Sequence, residues 1–275
     1  FLTKEVVNLY NQNFSDNKIS DDLSNYLIDG SRLEDNTPRY LNHFYDPVND
    51  RGLADLGFRG QKAKSWGQDK VAQTALLYRT LPQTEASLLT VAQVSAIKDT
   101  FDQTNFTWEK AIQLYVKGEK EAAMFALGHI IHLMEDMSVP DHTRNDAHPP
   151  YDHGGSPYEN WTEQFSLETP DSELAGRLVN KKSIILNDLN SYFDGMAKYS
   201  NNNFYSKDSI KNYTLPVVKD YIDFEDFKIS LAYDGEVFYK LARQPKYKSI
   251  FEGIDFIDID VPNILTEYWS RLSVK

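Results

Sequence analysis

The stretch Lys120–Met137, KEAAMFALGHIIHLMEDM, decides how the rest of the chain is read. Its apolar residues Ala126, Leu127, Ile130, Ile131, Leu133 and Met134 fall nearly all round a helical wheel, the pattern of a helix buried over most of its surface. Val139-Pro140 stops it, because proline disfavours helical geometry in the residue before it. Three ionisable residues interrupt this apolar helix. His132 and Asp136 are four apart and stack on one face, and His129 lies one turn back on nearly the same side. Buried ionisable groups need partners or a metal. His142 follows just past the proline, so a nitrogen, a carboxylate and a second nitrogen can be presented to one pocket, a donor set that suits Zn2+. The alternative is an ordinary helix with these residues at its caps or surface.

Outward from this helix the 3.6-residue period recurs. Leu2, Val6, Leu9 and Tyr10 share a face, so the chain opens inside a helical pattern, without Met, which points to residues upstream of Phe1. Ser20–Gly30 has acidic residues in its first turn and Gly after its last apolar position, both helix-boundary signals. Lys70–Thr80, Ala86–Phe101, Thr107–Lys117, Tyr158–Leu167, Ser172–Tyr199 and Val261–Leu272 complete a set of roughly eight helices, a mainly α, multi-helix bundle with functional groups on facing helices. One region departs from the pattern. KISLAYDGEVFYKLAR (228–243) alternates on either side of Asp234-Gly235, a two-residue hairpin signal, and IDFIDIDV (254–261) alternates too. We read 224–262 as a small β-rich insertion, and 1–275 as a single helical domain.

Composition bounds the chemistry. The chain has 275 residues, 29 Lys+Arg against 41 Asp+Glu, and a net charge of −12, which disfavours a nucleic-acid partner because backbone binding needs clustered cations. A mean hydropathy of −0.54 with no long apolar run argues against a membrane span. There is no cysteine, so a metal must be held by His, Asp or Glu. Of the six histidines, the five after His43 fall between His129 and His153.

A second patch, GSRLEDNTPRYLNHFYDP (30–47), adds Asp35 and His43. HFYDP, together with H-x3-D-x5-H (His132, Asp136, His142) and the following YE-x-W, resembles the bacterial zinc-dependent phospholipase C family, which includes the clostridial alpha-toxin catalytic domain. More distantly it is similar to single-strand nucleases of the S1/P1 type. The resemblance implies an all-helical metal-dependent phosphodiesterase that cleaves phospholipids on the glycerol side, exported to the periplasm, cell surface or medium, with peripheral contact to a membrane. It implies Asp35, His43, His132 and Asp136 as ligands of one zinc, Asp136 bridging to another, and His142 and Glu159 as ligands of a second with one further histidine. The family places that histidine four residues before the glutamate, where this chain has Gly155; His153 is the first candidate in its stead, His148 the second, and water completes the set if neither binds. The ligands of a third zinc, a terminal Trp and a Thr-His pair ahead of the threonine matching Thr3, would lie upstream of Phe1, so two zinc ions are expected. Asp35 is the candidate to orient or deprotonate the attacking water, because a monodentate carboxylate ligand keeps an oxygen within reach of it. The acidic chain and the Glu at the last ligand position favour the lipase over the nuclease, and a non-catalytic binding protein with an incomplete metal site is the reading from another class.

Several neighbouring residues have two readings. Ser156-Pro157-Tyr158-Glu159 is also an S-x-x-E capping box with Pro at the first helical position. His129 reads as a buried, hydrogen-bonded histidine, and Glu34 and Glu135 as solvated or supporting groups. Arg144 and Asn145 either hold loop backbone or contact a phosphate. Tyr45, Tyr158 and Trp161 lie beside expected ligands and are candidates to wall a pocket.

Overall fold

The computed structural model describes residues 2–36, 39–55, 57–71, 73, 105–148, 155–168, 184–210, 212–246 and 257–275. Among these residues there are nine α-helices, two short 3-10 turns and one three-stranded antiparallel sheet near the C-terminus, so the mainly α reading with a small β element holds. The chain divides into two compact units, described in turn.

The first unit, Phe1–His43 with Gly60–Glu135, holds α1 (Leu2–Asn13), α2 (Asp21–Glu34), a 3-10 turn (Arg39–Asn42), α3 (Ala63–Trp66), α4 (Trp108–Val116) and α5 (Lys120–Asp136), whose last residue is counted with the second unit. Helix α2 starts where Ser20 accepts the Leu23 N–H, with Asp21 and Asp22 in its first turn, but it does not stop at Gly30 as expected. Gly30 serves a packing contact instead. A Cβ there would lie 2.0 Å from the Phe125 carbonyl oxygen, and one on Gly128 would lie 2.1 Å from that of Leu27, so α2 and α5 cross with backbone against backbone. Leu27, Ala126, Ile130 and Leu133 fill the rest of this core with Ala63 and Trp66 of α3, and α1 packs on α2. Thr107, read as the first residue of this helix, caps α4 by accepting the Lys110 N–H. Apart from 70–71 and 73, which are helical, the helices expected over Lys70–Thr80 and Ala86–Phe101 lie outside the described residues.

The second unit, Phe44–Arg59 with Asp136–Lys275, contains α6 (Pro140–Thr143), α7 (Pro157–Glu168), α8 (Leu189–Asn203), the strands β1 (Val218–Asp223), β2 (Phe227–Tyr233) and β3 (Phe238–Pro245), and α9 (Pro262–Leu272). Of the helix expected over Ser172–Tyr199, 172–183 lie outside the described residues, 184–188 are non-helical, and α8 starts at Leu189, where Asp188 caps it by accepting the Ser191 N–H at 2.9 Å. The β region begins at Val218, ahead of the expected 224, because VKDYID pairs with β2 in the order β1-β2-β3. Its strand is exposed on both faces, so it lacks the alternation that marks a half-buried strand. Strand pairing closes at Tyr233 and Phe238, leaving four residues in the turn instead of two. Gly235 takes φ +97°, and the Asp234 carboxylate accepts the N–H groups of Glu236 and Val237. Of the expected strand 254–261, 254–256 lie outside the described residues, and Asp258 makes an isolated bridge to Arg243. Helix α9 packs on β3 and α7 through Ile264, Leu265, Tyr268 and Trp269, and the Tyr268 hydroxyl donates to the Leu241 carbonyl at 2.7 Å. No helix among the described residues is long and apolar enough to cross a membrane.

Candidate metal centres

Three segments of the first unit bring Asp35, His43 and His132 together. Asp35 caps the C-terminus of α2, His43 follows the 3-10 turn, and His132 lies on α5 one turn after His129. One ligand atom from each falls within 4.8 Å of the other two. His132 Nε2 is 3.3 Å and His43 Nδ1 3.6 Å from Asp35 Oδ1. In a tetrahedral site with metal bonds near 2.0–2.1 Å, ligand atoms sit about 3.4 Å apart, so the two spacings from Asp35 match such a site. The tautomer of His43 agrees: Nε2–H donates to the Glu34 carbonyl at 3.2 Å, which leaves Nδ1 as the donor nitrogen on the Asp35 side. The Asp35 side chain is 64% exposed, so its carboxylate also meets solvent.

Beneath these ligands lies Glu34, wholly buried and ionised. Its carboxylate accepts from Arg39 Nε at 2.7 Å, Trp66 Nε1 at 2.7 Å and His129 Nδ1 at 2.5 Å. Burial alone would raise its pKa, but the Arg39 guanidinium and the His129 hydrogen bond outweigh that and hold it at about 2. Burial pushes His129 the other way, toward the neutral form, and the ring stacks on Phe106 at 4.2 Å. A neutral imidazole donating from Nδ1 carries a lone pair on Nε2, and that buried atom has no hydrogen-bond partner among the described residues. His129 is thus the buried, hydrogen-bonded histidine expected. Of the two glutamates read as solvated or supporting, Glu34 proves to be the buried anchor of a polar network, and Glu135 accepts from the Thr3 hydroxyl.

The second unit assembles His142, His148 and Glu159, with ligand atoms again within 4.8 Å of one another. His142 Nε2 is 3.2 Å from Glu159 Oε1, and His148 Nε2 is 2.8 Å from Glu159 Oε2. The histidine rings stack 5.2 Å apart, and Phe44 lies against both. Asp136, at the end of α5, places Oδ1 3.3 Å from His142 Nδ1, the arrangement of a carboxylate that orients an imidazole. His148 donates Nδ1–H to the Asp146 carbonyl at 2.9 Å, which turns Nε2 toward Glu159. A lone pair facing a carboxylate at that distance is repulsive, so this geometry requires a cation between them, either a proton or a metal. In the metal-free chain it is a proton. Burial opposes the charge, but Glu159 raises the His148 pKa to about 9, and Asp136 and Glu159 together raise that of His142 well above its ordinary value. Burial would lift Glu159, yet His148 and His142 hold it far below the usual carboxylate range.

The first choice for this histidine, His153, lies outside the described residues, whereas His148, the second, stands beside Glu159. Gly155, where the resemblance expects a histidine, takes φ +78°, a conformation that strains any side chain with a Cβ. Glu159 resolves its two readings by dividing them: its N–H is capped by the Ser156 hydroxyl at 3.2 Å, while its carboxylate faces the histidines. Arg144 is fully buried and donates to the carbonyls of Asn201 and Phe204, and Asn145 accepts the Ala54 N–H, so both hold backbone. Tyr45 and Tyr158 are core residues, with the Tyr45 hydroxyl on Asp194. In HFYDP it is His43 that faces a ligand set. Asp46 is buried and accepts from the Val48 and Asn49 N–H groups, Arg51 and the Tyr213 hydroxyl, which locks the turn after it. No family model, curated protein or solved structure matches this chain.

Proposed function

We propose that this chain is a zinc-dependent phosphodiester hydrolase of the phospholipase C type, acting on phospholipid head-group esters. What carries the reading is the pair of sites that each hold two imidazoles and one carboxylate with donor atoms within 4.8 Å, in a chain with no cysteine. His43, His132 and Asp35 would hold one ion, and His142, His148 and Glu159 the other. Bound divalent metal supplies a Lewis acid that lowers the pKa of water and neutralises charge on phosphate oxygens. The chain's own residues do the rest. Asp35, with one oxygen toward two histidines and its side chain open to solvent, is placed to accept a proton from an attacking water. Glu34 and Asp136 fix the rings of His43 and His142 from behind, and Asp146 fixes His148. Each set offers three protein ligands, the number a catalytic zinc site would take from the protein. The lipid preference rests on the motif resemblance and on the net charge of −12, which disfavours a polyanion.

The decisive experiment combines metal analysis of the purified chain with turnover of a chromogenic phosphocholine diester, with and without EDTA, alongside single-stranded DNA. About two equivalents of zinc and EDTA-sensitive release of phosphocholine are expected. Cleavage of DNA but not of the diester would make it a nuclease. Less than one equivalent of metal with no EDTA-sensitive turnover would leave a binding protein.

A further inference from the structure

Glu34 lies next to the first centre; its backbone carbonyl holds the His43 ring, and its carboxylate has no role in the hydrolysis proposed above. Its carboxylate is wholly buried, and a carboxylate is tolerated there only when donors fill its lone pairs. Two of those donors come from segments that also deliver a metal ligand. Arg39 opens the 3-10 turn that leads into His43, and its guanidinium binds Glu34 Oε2 through Nε at 2.7 Å and a terminal nitrogen at 2.6 Å. His129 stands one turn before His132 on α5 and donates to the same oxygen at 2.5 Å. The third ligand, Asp35, is the next residue of the backbone, and the Glu34 carbonyl accepts Nε2–H of His43 at 3.2 Å. Trp66, the remaining donor, belongs to α3, which carries no ligand.

We propose that Glu34 is the positioning residue of the first centre: its buried carboxylate sets the rotation of α5 and the path into His43, and its backbone carbonyl sets the tautomer of His43, so that three donors converge. The proposal rests on the metal-centre reading. It predicts that removing the charge loosens the ligand set while the ligands themselves remain in the chain, a loss of affinity of about 10–100-fold, as for other groups that orient metal ligands. The negative charge 3.8 Å from His43 Nε2 acts in the same direction, because it favours a cation on the far side of that ring.

The test is a Co2+ titration of the full chain followed by visible absorption, with H132A used to identify the band of the first centre. E34Q keeps the volume and removes the charge; its first-centre band should need about 10–100-fold more Co2+, with the second-centre isotherm unchanged. W66F removes a donor from the same carboxylate while keeping an aromatic face under the Arg39 guanidinium, so it should lower the melting temperature of the metal-free protein yet leave the first-centre affinity within about threefold. Should circular dichroism show that E34Q does not fold, H129Q carries the test, because it cuts the tie to α5 and retains the anion. A folded E34Q or H129Q that binds both ions like wild type overturns the proposal and leaves the metal centres standing. So does a W66F that weakens the first centre as much as E34Q, since packing alone would then explain the loss. Wild-type protein that takes up no Co2+ overturns the metal-centre reading and the proposal with it.

Discussion

His148 shows how a single side chain carries a pH dependence. In the metal-free chain its folded pKa of about 9 stands above the ordinary 6.5, so the imidazolium contributes stability that is complete below about pH 6.5 and lost as pH rises through about 9. A metal must displace that proton. Zn2+ affinity at the second centre should therefore strengthen with rising pH, by up to about tenfold per unit for each proton displaced, with the His148 share levelling off near pH 9. Calorimetric titrations in buffers of different ionisation heat would count the protons released, and an affinity that does not change with pH would refute this account of the site. H148A should lower bound zinc by about one equivalent and leave the Asp35, His43 and His132 set loaded. Sequence spacing favoured His153, which is nearer Glu159 and lies outside the described residues; among the described ones it is His148 that stands beside Glu159. The Nδ1–H bond of His148 to the Asp146 carbonyl aims its other nitrogen, and no local pattern announces such a bond. His132 and Asp136, on a helix of fixed pitch, were legible as candidates from the letters alone; that Asp136 meets His142 through Nδ1 was not.

Helix α2 was legible up to Gly30, and the error beyond it is instructive. Glycine after the last apolar residue usually ends a helix, yet here it leaves room for the Phe125 carbonyl, a contact made 95 positions away in sequence (125 − 30) and invisible to any local rule. The extra turn matters, because it carries the chain to Glu34 and places Asp35 at the helix cap. G30A and G128A would each drive a Cβ into a backbone carbonyl at 2.0 and 2.1 Å, and neither contact is with a flexible side-chain end. Each should cost about 3 kcal/mol in urea denaturation and weaken metal binding at the first centre, since α2 and α5 carry Asp35 and His132. The sheet offers a parallel case. Asp234-Gly235 was readable as a turn, but not the second duty of Asp234, whose buried carboxylate also takes the Tyr199 hydroxyl at 2.8 Å and the Arg271 guanidinium. D234A removes the turn bonds and leaves the Arg271 guanidinium, 12% exposed, with Glu236 in place of its closer partner, so a loss of about 3 kcal/mol is expected from thermal or urea unfolding, with metal content unchanged.

For the molecule as a whole, composition set limits more reliably than it set identity. The absence of cysteine correctly confined any metal site to imidazole and carboxylate donors, whereas the net charge of −12 overstates the acidity around those donors. Two Zn2+ would formally bring −12 to −8, but at the second centre the metal replaces protons already shared between His142, His148 and Glu159, so the shift in isoelectric point on loading should be smaller than four charges imply. Isoelectric focusing with and without EDTA measures it. The two centres also differ in their distance along the chain. His142 and Glu159 are 17 positions apart (159 − 142), and Asp35 and His132 are 97 apart (132 − 35). Closing the longer loop costs about 1.5 kcal/mol more in chain entropy, and it also requires the glycine crossing of α2 and α5 to form. During refolding, a metal ion present from the start should therefore meet a short local ligand set long before a distant one. The 142–159 segment is where such an ion can be captured by a chain that is still largely unfolded.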